Sequence, residues 1–236
     1  VNCCIYADAL SDFVCYVTLD IPDNWQTATG MIKKEQKYIA SNFDQLADSP
    51  FICSDNLQSQ SYEIKGYKFH IWVNGEINPD WKKWLNDFKC FTQKQIDKFI
   101  EFPVKEYHFL IHALPFKAYH GVEHLSGTVI TLGPSEKINN ALYKELLGVS
   151  SHELYHAWNV KSIRPSEMLP YDFSAENYSE LGYIYEGVTT YMGDLFLLKS
   201  NVFTTTQYFF ELNNQLQRHF DNTGRFNYSV AESSFD

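Results

Sequence analysis

Basic residues are scarce in this sequence: 19 Lys and Arg stand against 29 Asp and Glu, which gives a formal net charge of −10. Binding to a phosphate backbone or to an anionic membrane surface depends on clustered positive charge. The charge balance therefore argues against nucleic acid or an anionic membrane as the main partner. With 236 residues, the chain can still bury a sizeable core in one large or two modest domains.

Long apolar runs are also missing. No stretch approaches the ~20 apolar residues that cross a bilayer, so no membrane span is expected. No charged-then-apolar leader opens the chain, and the first residue is Val1 rather than Met. We expect a processed product or a piece of a longer protein, which leaves the compartment open between bacterial periplasm and cytoplasm.

Cysteine is sparse and irregularly placed. The five cysteines are an odd number and have no metal-binding spacing: Cys3, Cys4, Cys15, Cys53 and Cys90. We therefore expect incidental reduced thiols. Aromatic residues are abundant instead, at 17% of the chain, which fits a packed enzyme better than a disordered segment.

The strongest chemical signal is the segment His152-Glu-Leu-Tyr-His156, followed thirty positions later by Glu186. Residues four apart lie on one face of a helix, so His152 and His156 can present two imidazole nitrogens to one metal ion. Glu153 is rotated about 100° from His152 and can reach a metal-bound water without being a ligand. A second helix that brings Glu186 opposite would complete the pattern of hydrolytic zinc enzymes: two His, one carboxylate and an open fourth position.

The alternative for this segment is a solvated helix face that carries two histidines. The preceding residues 138–149 place Leu142, Leu146 and Val149 at helical spacing, so the motif is expected to continue a half-buried helix. His and Glu in such a helix are costly to bury unless something binds them. The context therefore favours a metal site, with Thr189 or Thr190 as hydrogen-bond partners of a ligand histidine.

Two other histidine pairs have the same spacing without the same context. His108 and His112 lie in a run typical of a strand, where residues four apart stand more than ~10 Å from each other. His120 and His124 lie in a segment that contains Gly121, and we expect a loop there rather than a helix. Neither pair predicts a metal site.

The hydrophobic pattern divides the chain near residue 78. Before it we expect a strand over 13–19, a turn at 21–25, a polar connection over 40–60 and a strand pair over 61–75 that turns at Gly66. After it we expect amphipathic helices over 81–88 and 96–100, strands over 106–113 and 128–132, the motif helix, and helices over about 180–200 and 204–221. Residues 1–78 are thus predicted to be the C-terminal part of a β-rich N-terminal domain, and residues 79–236 a catalytic domain that is incomplete at its C-terminus.

Motifs spread over most of the chain share the pattern of one family. They are Ile21-Pro-Asp-Asn-Trp25, Ala28-Thr-Gly30, Phe43-Asp44, Leu46-Ala-Asp-Ser-Pro50, Gly121-Val-Glu-His124, Ser151-His-Glu-Leu-Tyr-His-Ala-Trp-Asn-Val-Lys161, Arg164-Pro165 and Glu186-Gly-Val-Thr-Thr-Tyr191. Together they resemble the glycyl aminopeptidase family of zinc metallopeptidases, relatives of aminopeptidase N that often carry a PDZ domain. The residues that follow the histidine motif make the resemblance far more specific than the motif alone.

The resemblance implies a role for each site residue. His152, His156 and Glu186 would hold Zn2+, and Glu153 would act as general base. Gly121, Val122 and Glu123 resemble the segment that reads the free amino end of the substrate in aminopeptidase N, with Glu123 on the α-ammonium group. Without the resemblance, Glu123 is a loop carboxylate in a local hydrogen bond.

One difference from aminopeptidase N and two departures from the family pattern qualify this assignment. His124 replaces the Asn of aminopeptidase N, as in the glycyl aminopeptidases themselves. His120 stands where members commonly have Gly, and its bulk is expected to narrow the site near the amino end. The tyrosine that stabilises the oxyanion in relatives is expected beyond residue 236, because Tyr191 is about 140° around the helix from Glu186 and Tyr228 is the remaining alternative.

The sequence therefore predicts an α+β protein: a β-rich N-terminal portion followed by a thermolysin-like, mostly helical zinc metallopeptidase catalytic domain. The expected activity is that of a zinc-dependent aminopeptidase that cleaves after a small N-terminal residue, with Glu153 activating a zinc-bound water. Its partners would be peptides with a free N-terminus, and a PDZ domain is expected outside this chain. The alternatives are a zinc endopeptidase of the same class and a non-catalytic binding scaffold.

Overall fold

Strands dominate the first part of the computed structural model and helices the last part, in a structure that describes residues 4–235. The strands are β1 (Cys15–Val17), β2 (Gln26–Thr29), β3 (Ile32–Lys34), β4 (Lys37–Ala40), β5 (Phe51–Ser54), β6 (Leu57–Ile64), β7 (Tyr67–Asn74), β8 (Glu106–Ala113), β9 (Ala118–His124) and β10 (Gly127–Gly133). The helices are α1 (Phe43–Ala47), α2 (Trp81–Phe99), α3 (Tyr143–His156), a π-helical segment (Tyr183–Val188), α4 (Thr189–Lys199) and α5 (Thr205–Asp221). The predicted α+β class with a β-rich N-terminal region is confirmed.

A five-stranded sheet in the order β6-β7-β8-β10-β9 forms the centre of the molecule. The neighbours β7, β8 and β10 run parallel, while β6 and β9 are antiparallel edge strands. Helix α2 makes the crossover between β7 and β8, as parallel neighbours require. Two smaller sheets, β1-β4-β3 and β2-β5, precede it in the chain.

The hairpin between β6 and β7 turns where the sequence predicts it. Ile64 pairs with Tyr67, which leaves Lys65 and Gly66 as a two-residue loop. Both loop residues have positive φ, 51° and 80°, the combination that matches the twist of the flanking strands.

The main core lies between the central sheet and helices α2 and α3. Alternate residues of β7 and β8 enter it, because side chains along a strand alternate between faces. Fully buried members of this core are Phe69, Ile71, Val73, Trp84, Phe88, Phe91, Tyr107, Phe109, Ile111, Leu146 and Leu154. The aromatic residues that the sequence has in excess therefore fill the core that supports α3.

Four sequence predictions are corrected. Residues 40–60 are not one connection, since they include α1, β5 and the start of β6. The helices expected over 81–88 and 96–100 are the single helix α2, and the loop expected at 120–124 is strand β9. The helix expected over 180–200 begins as the π-helical segment and continues as α4.

The domain boundary near residue 78 stays a prediction. β6 and β7 precede that residue, yet β7 is hydrogen-bonded along its length to β8, from Lys68–Glu106 to Asn74–His112. Because paired parallel strands share one core, the sheet favours a division of the chain before β6.

Two further features are the cysteines and the apolar content of the helices within residues 4–235. Cys4, Cys15, Cys53 and Cys90 are free thiols, and Cys3 lies outside the described residues. Between residues 4 and 235, no helix has both the length and the apolar composition needed to cross a bilayer.

Candidate metal centre

Helix α3 brings the two motif histidines together on one face. The Nε2 atoms of His152 and His156 are 2.9 Å apart, and the two rings meet edge to face. His156 is 1% exposed, whereas the His152 side chain is 21% exposed. The four-residue spacing therefore gives two convergent nitrogens at the edge of the core.

Glu186 reaches the same point from the π-helical segment. Its Oε2 atom lies 3.4 Å from Nε2 of His152 and 3.6 Å from Nε2 of His156. Gly193 lets α4 pack closely on α3, since a Cβ there would come within 3.1 Å of the His152 backbone. The close approach of the two helices thus sets the position of the carboxylate.

The three donor atoms fit a zinc ion. A tetrahedral zinc with N and O ligands at about 2.0–2.1 Å places its ligand atoms roughly 3.3 Å from one another. The observed separations of 2.9, 3.4 and 3.6 Å bracket that value. Two imidazoles and a carboxylate are also a donor set that zinc prefers.

The outer nitrogens of the histidines have partners that leave Nε2 free to bind. Nδ1 of His156 donates to the backbone oxygen of Asn159 at 2.7 Å, and Nδ1 of His152 lies 3.4 Å from Oγ1 of Thr190. A neutral imidazole that donates from Nδ1 presents a lone pair at Nε2. Of the two threonines expected beside a ligand histidine, Thr190 lies there, whereas Thr189 donates to the backbone oxygen of Tyr185.

Asn159 is a residue of the centre that sequence reasoning missed. Its side-chain amide donates to the backbone oxygen of Ile184 at 3.2 Å and to Oγ1 of Thr189 at 3.1 Å. One residue therefore holds His156 through its backbone and the Glu186 segment through its side chain. The sequence signal that could have indicated this role is the position of Asn159 three residues after His156.

Glu153 is buried beside the three donors without a partner for one oxygen. It is 4% exposed, and no group within residues 4–235 forms a hydrogen bond with its Oε2 atom. Burial raises the pKa of Glu153 to about 8; the charge of His156 opposes this rise, and Glu123 and Glu186 add to it. An enclosed, unpaired carboxyl next to a donor set is suited to exchanging a proton with a bound molecule.

The charges of the donor set stabilise one another. Burial raises the pKa of Glu186, but hydrogen bonds with His152 and His156, whose Nε2 atoms can carry a proton while no metal is bound, outweigh it and bring the pKa down to about 2. For His156, burial lowers the pKa, and the hydrogen bond with Glu186 together with the charge of Glu123 raises it overall. The site therefore keeps Glu186 ionised, which is the form of a carboxylate that binds a cation.

Edge strand β9 passes directly over Glu153. A Cβ on Gly121 would overlap the Glu153 carboxylate and stand 2.8 Å from Cγ2 of Val149, so only glycine fits. A carboxylate oxygen of Glu123 lies within 4.8 Å of donor atoms of Glu153 and His156. Gly121 and Glu123 thus face the centre from the same side of the strand.

Strand alternation places the neighbours of these residues on the other face. His120 and Val122 alternate with Gly121 and Glu123, so their side chains point away from α3. The expectation that His120 narrows the site near the amino end is therefore wrong. Val122 keeps a backbone role: its oxygen accepts from Oγ1 of Thr128 on β10.

A second group of metal-ligating residues lies on the opposite face of the sheet. His70 and His108 pair across β7 and β8 and stack at 4.4 Å, and Nε2 of His70 lies 2.9 Å from Oε2 of Glu106. Nε1 of Trp72 donates to Nδ1 of His108 at 3.1 Å, which leaves the proton of the neutral ring on Nε2. The donor set of this group is therefore poorly suited to a metal.

The two tyrosines considered for the oxyanion do not lie among the donors. Tyr191 hydrogen-bonds Tyr208 of α5, and Tyr228 is 64% exposed.

Two family models match the chain. The M61 glycyl aminopeptidase model matches residues 145–236, and the peptidase M61 N-terminal domain model matches residues 1–55. The first match contains the motif His152–His156 and Glu186. This chain belongs to the M61 glycyl aminopeptidase family.

One solved structure is similar over nearly the whole chain. An aminopeptidase N family protein from Idiomarina loihiensis is similar, with a TM-score of 0.92 and 29% identity over 99% of this chain and 42% of that chain. The chain therefore spans less than half the length of this relative. An M1 zinc metallopeptidase from Deinococcus radiodurans is more distant, with a TM-score of 0.49 and 15% identity over 80% of this chain and 41% of that chain. No curated protein matches the chain.

Proposed function

We propose that this chain carries the centre of a zinc-dependent aminopeptidase that hydrolyses the peptide bond after a small N-terminal residue. The observation that carries the proposal is the convergence of Nε2 of His152, Nε2 of His156 and Oε2 of Glu186 within 3.6 Å of one another. Membership in a family of glycyl aminopeptidases supports peptide hydrolysis and a small first residue. The parallel sheet with an antiparallel edge strand beside the motif helix supports a thermolysin-like catalytic domain.

Glu153 is the proposed general base. His152, His156 and Glu186 would hold the zinc ion, which would supply Lewis acidity: a water molecule at the centre would have a lowered pKa and the scissile carbonyl would be polarised. Glu153 takes a proton from the attacking water at its unpaired Oε2 and passes it to the leaving amine. Its enclosure keeps bulk water from competing for that proton.

Glu123 and the edge of β9 are proposed to hold the substrate. The Val122 oxygen is turned toward β10, so the backbone groups of Gly121 and Glu123 face the open edge of the sheet, where an extended peptide can pair. The Glu123 carboxylate then receives the α-ammonium group beside the donors, which fixes the first peptide bond over the centre.

A panel of aminoacyl chromogenic substrates tests the activity. Zinc-loaded protein is expected to release the chromophore fastest from glycyl and alanyl substrates, and excess chelator should abolish the release. Glu153→Gln should lower kcat by about 10²–10⁴-fold, because it removes the base, while zinc content measured by mass spectrometry stays at one per chain.

Acetylation of the substrate separates this activity from that of an endopeptidase. An aminopeptidase loses an N-acetylated peptide as substrate, because no ammonium group remains for Glu123. Equal cleavage of free and acetylated peptides would contradict the amino-end role. Equal zinc binding by wild type and Glu153→Gln without hydrolysis by either would leave a binding scaffold as the conclusion.

A further inference from the structure

A cavity of about 610 Å³ adjoins the candidate metal centre. His152 and Glu153 line it at the centre, and residues of β9, α3, α4 and α5 form its walls. Glu153, which is 4% exposed as a residue, thus belongs both to the candidate metal centre and to the wall of the cavity. Neither Glu123 nor Glu186 lines the cavity, so it lies on the His152 side of the centre.

Strand β9, which passes over Glu153, runs from the candidate metal centre along the wall of the cavity. Tyr119, Gly121 and Glu123 share one face of β9, and Tyr119 and Gly121 line the cavity. The strand therefore leads from Glu123 across the centre and into the cavity over roughly 13 Å. A peptide whose ammonium group lies at Glu123 and whose first carbonyl lies over the centre places its second side chain at the cavity.

The charges of the cavity wall are unbalanced. Besides Glu153, the carboxylates are those of Glu145, Asp194 and Glu211, and the basic groups are those of Lys144 and Arg218. Lys144 forms an ion pair with Glu211, with 3.2 Å between Nζ and Oε1. Arg218 lies seven residues after Glu211, which places it about 10 Å along α5 at the far side.

Glu145 and Asp194 are left without compensation. Among residues 4–235 neither forms an ion pair, and Oε2 of Glu145 is enclosed without a hydrogen bond. Burial, and then the charge of Glu211, raise the pKa of Asp194 to about 6. Enclosed carboxylates of this kind are stabilised when a cation enters.

We propose that this cavity selects a lysine or arginine side chain at the substrate residue that follows the scissile bond. The inference rests on the proposed aminopeptidase function and adds a substrate class to it: peptides with a small first residue and a basic second residue. The ammonium or guanidinium group would lie between Glu145 and Asp194, while its aliphatic stem passes Tyr119 and Val149.

Three matched peptides on the zinc-loaded protein test the proposal: glycyl-lysine, glycyl-norleucine and glycyl-glutamate, each with an amidated C-terminus. Lysine and norleucine have similar length and differ in charge. We expect kcat/KM at pH 7.5 to be at least about tenfold higher for the lysine peptide than for the norleucine peptide, and lowest for the glutamate peptide. Equal rates for lysine and norleucine, or a preference for glutamate through Lys144 and Arg218, would overturn the proposal.

Charge-neutral variants identify the residues responsible. Asp194→Asn combined with Glu145→Gln should bring the lysine-to-norleucine ratio to within about twofold of unity. Glu136→Gln removes an exposed carboxylate outside the cavity and should keep the ratio of the wild type. A ratio that persists in the double variant contradicts the assignment of these carboxylates. If the double variant does not fold, the wild-type comparison of the three peptides alone decides.

A binding measurement separates this proposal from the proposed activity. Zinc-loaded Glu153→Gln is titrated calorimetrically with the same three peptides, which requires no turnover. Tighter binding of the lysine peptide by at least about tenfold supports the cavity assignment even if wild type hydrolyses nothing, in which case only the activity fails. Equal affinities for the lysine and norleucine peptides contradict it.

Discussion

At the scale of single residues, the candidate metal centre contains the buried carboxyl group of Glu153, whose Oε2 atom has no hydrogen-bond partner within residues 4–235. Glu153 is 4% exposed and its pKa is raised from 4.5 to about 8 by burial, against the opposing charge of His156. A group whose pKa is raised on folding costs stability as the pH rises from the unfolded pKa to the folded one, because the unfolded chain ionises first. Metal-free protein should therefore lose stability between about pH 5 and pH 8.

Glu153→Gln tests this cost directly. In the presence of chelator we expect the variant to be more stable than wild type by up to about 4 kcal/mol at pH 8 and by less than about 1 kcal/mol at pH 5, since the amide does not titrate. Urea unfolding at the two pH values measures the difference. Exposed Glu136→Gln is the matched control and should give no pH-dependent gain; an equal gain for Glu153→Gln at both pH values would contradict the burial argument.

At the scale of secondary-structure elements, the function proposed for Glu153 depends on how closely β9 crosses α3. Gly121→Ala adds a methyl group that overlaps the Glu153 carboxylate. We expect kcat to fall at least about tenfold with zinc content unchanged, because a base displaced by about 1 Å no longer reaches the attacking water. Gly224→Ala is the control, since Gly224 lies outside the centre and the cavity and a Cβ there meets only the Asn222 side chain. A similar loss in both variants would contradict the crossing argument.

The link between the end of α3 and the π-helical segment gives a second prediction at this scale. Asn159→Ala removes the side-chain hydrogen bonds to Ile184 and Thr189 that hold this segment in place. We expect zinc affinity, measured by competition with a chromogenic chelator, to fall about 10–100-fold, as outer-shell changes typically do. Asn140→Ala, an exposed change outside the centre, should leave it unaltered; unchanged affinity in folded Asn159→Ala would refute the linking role.

Local patterns predicted the elements well where tertiary contacts agree with them. Strand β8 has the predicted bounds, 106–113, and α5 begins one residue after the predicted 204. For residues 120–124 the sequence predicts a loop, because Gly121 interrupts the segment and no helical pattern extends through it. They form β9 because pairing with β10, from Ala118–Gly133 to His124–Gly127, overrides that preference.

At the scale of the whole molecule, one carboxylate joins the N-terminal region to the elements around the candidate metal centre. Asp48 accepts from Lys161 at 2.6 Å and from the Leu125 backbone at 2.9 Å, and it lies 3.2 Å from Nδ1 of His124. Through His124 and Leu125, Asp48 contacts the end of β9, and through Lys161 it contacts the loop after the motif helix. Burial raises the pKa of Asp48, but hydrogen bonds with His124 and the charge of Lys161 lower it overall.

Asp48→Ala should destabilise the protein, because it leaves the Lys161 ammonium partly buried without a partner. The expected loss is about 2–4 kcal/mol at pH 7 by urea unfolding. The pKa of Asp48 is lower in the folded protein than its unfolded value of about 3.8, so the Asp48 carboxylate stabilises the fold above that pH. This stabilisation is lost as the pH falls through the folded pKa. The stability deficit of Asp48→Ala relative to wild type should therefore narrow below about pH 4. Exposed Asp20→Ala should cost little, and a deficit for Asp48→Ala that does not change with pH would contradict the ion pair.

The sequence by itself determined which residues of α3 meet, because helical geometry is local: four-residue spacing places His152 and His156 together and Glu153 at their edge. Only the tertiary structure decided how Glu186 approaches, where β9 crosses, that His70 stacks on His108 and which carboxylates share a cavity. Those relations join residues that are far apart in the chain. They depend on strand register and on the packing of helices, which no spacing within a single segment specifies.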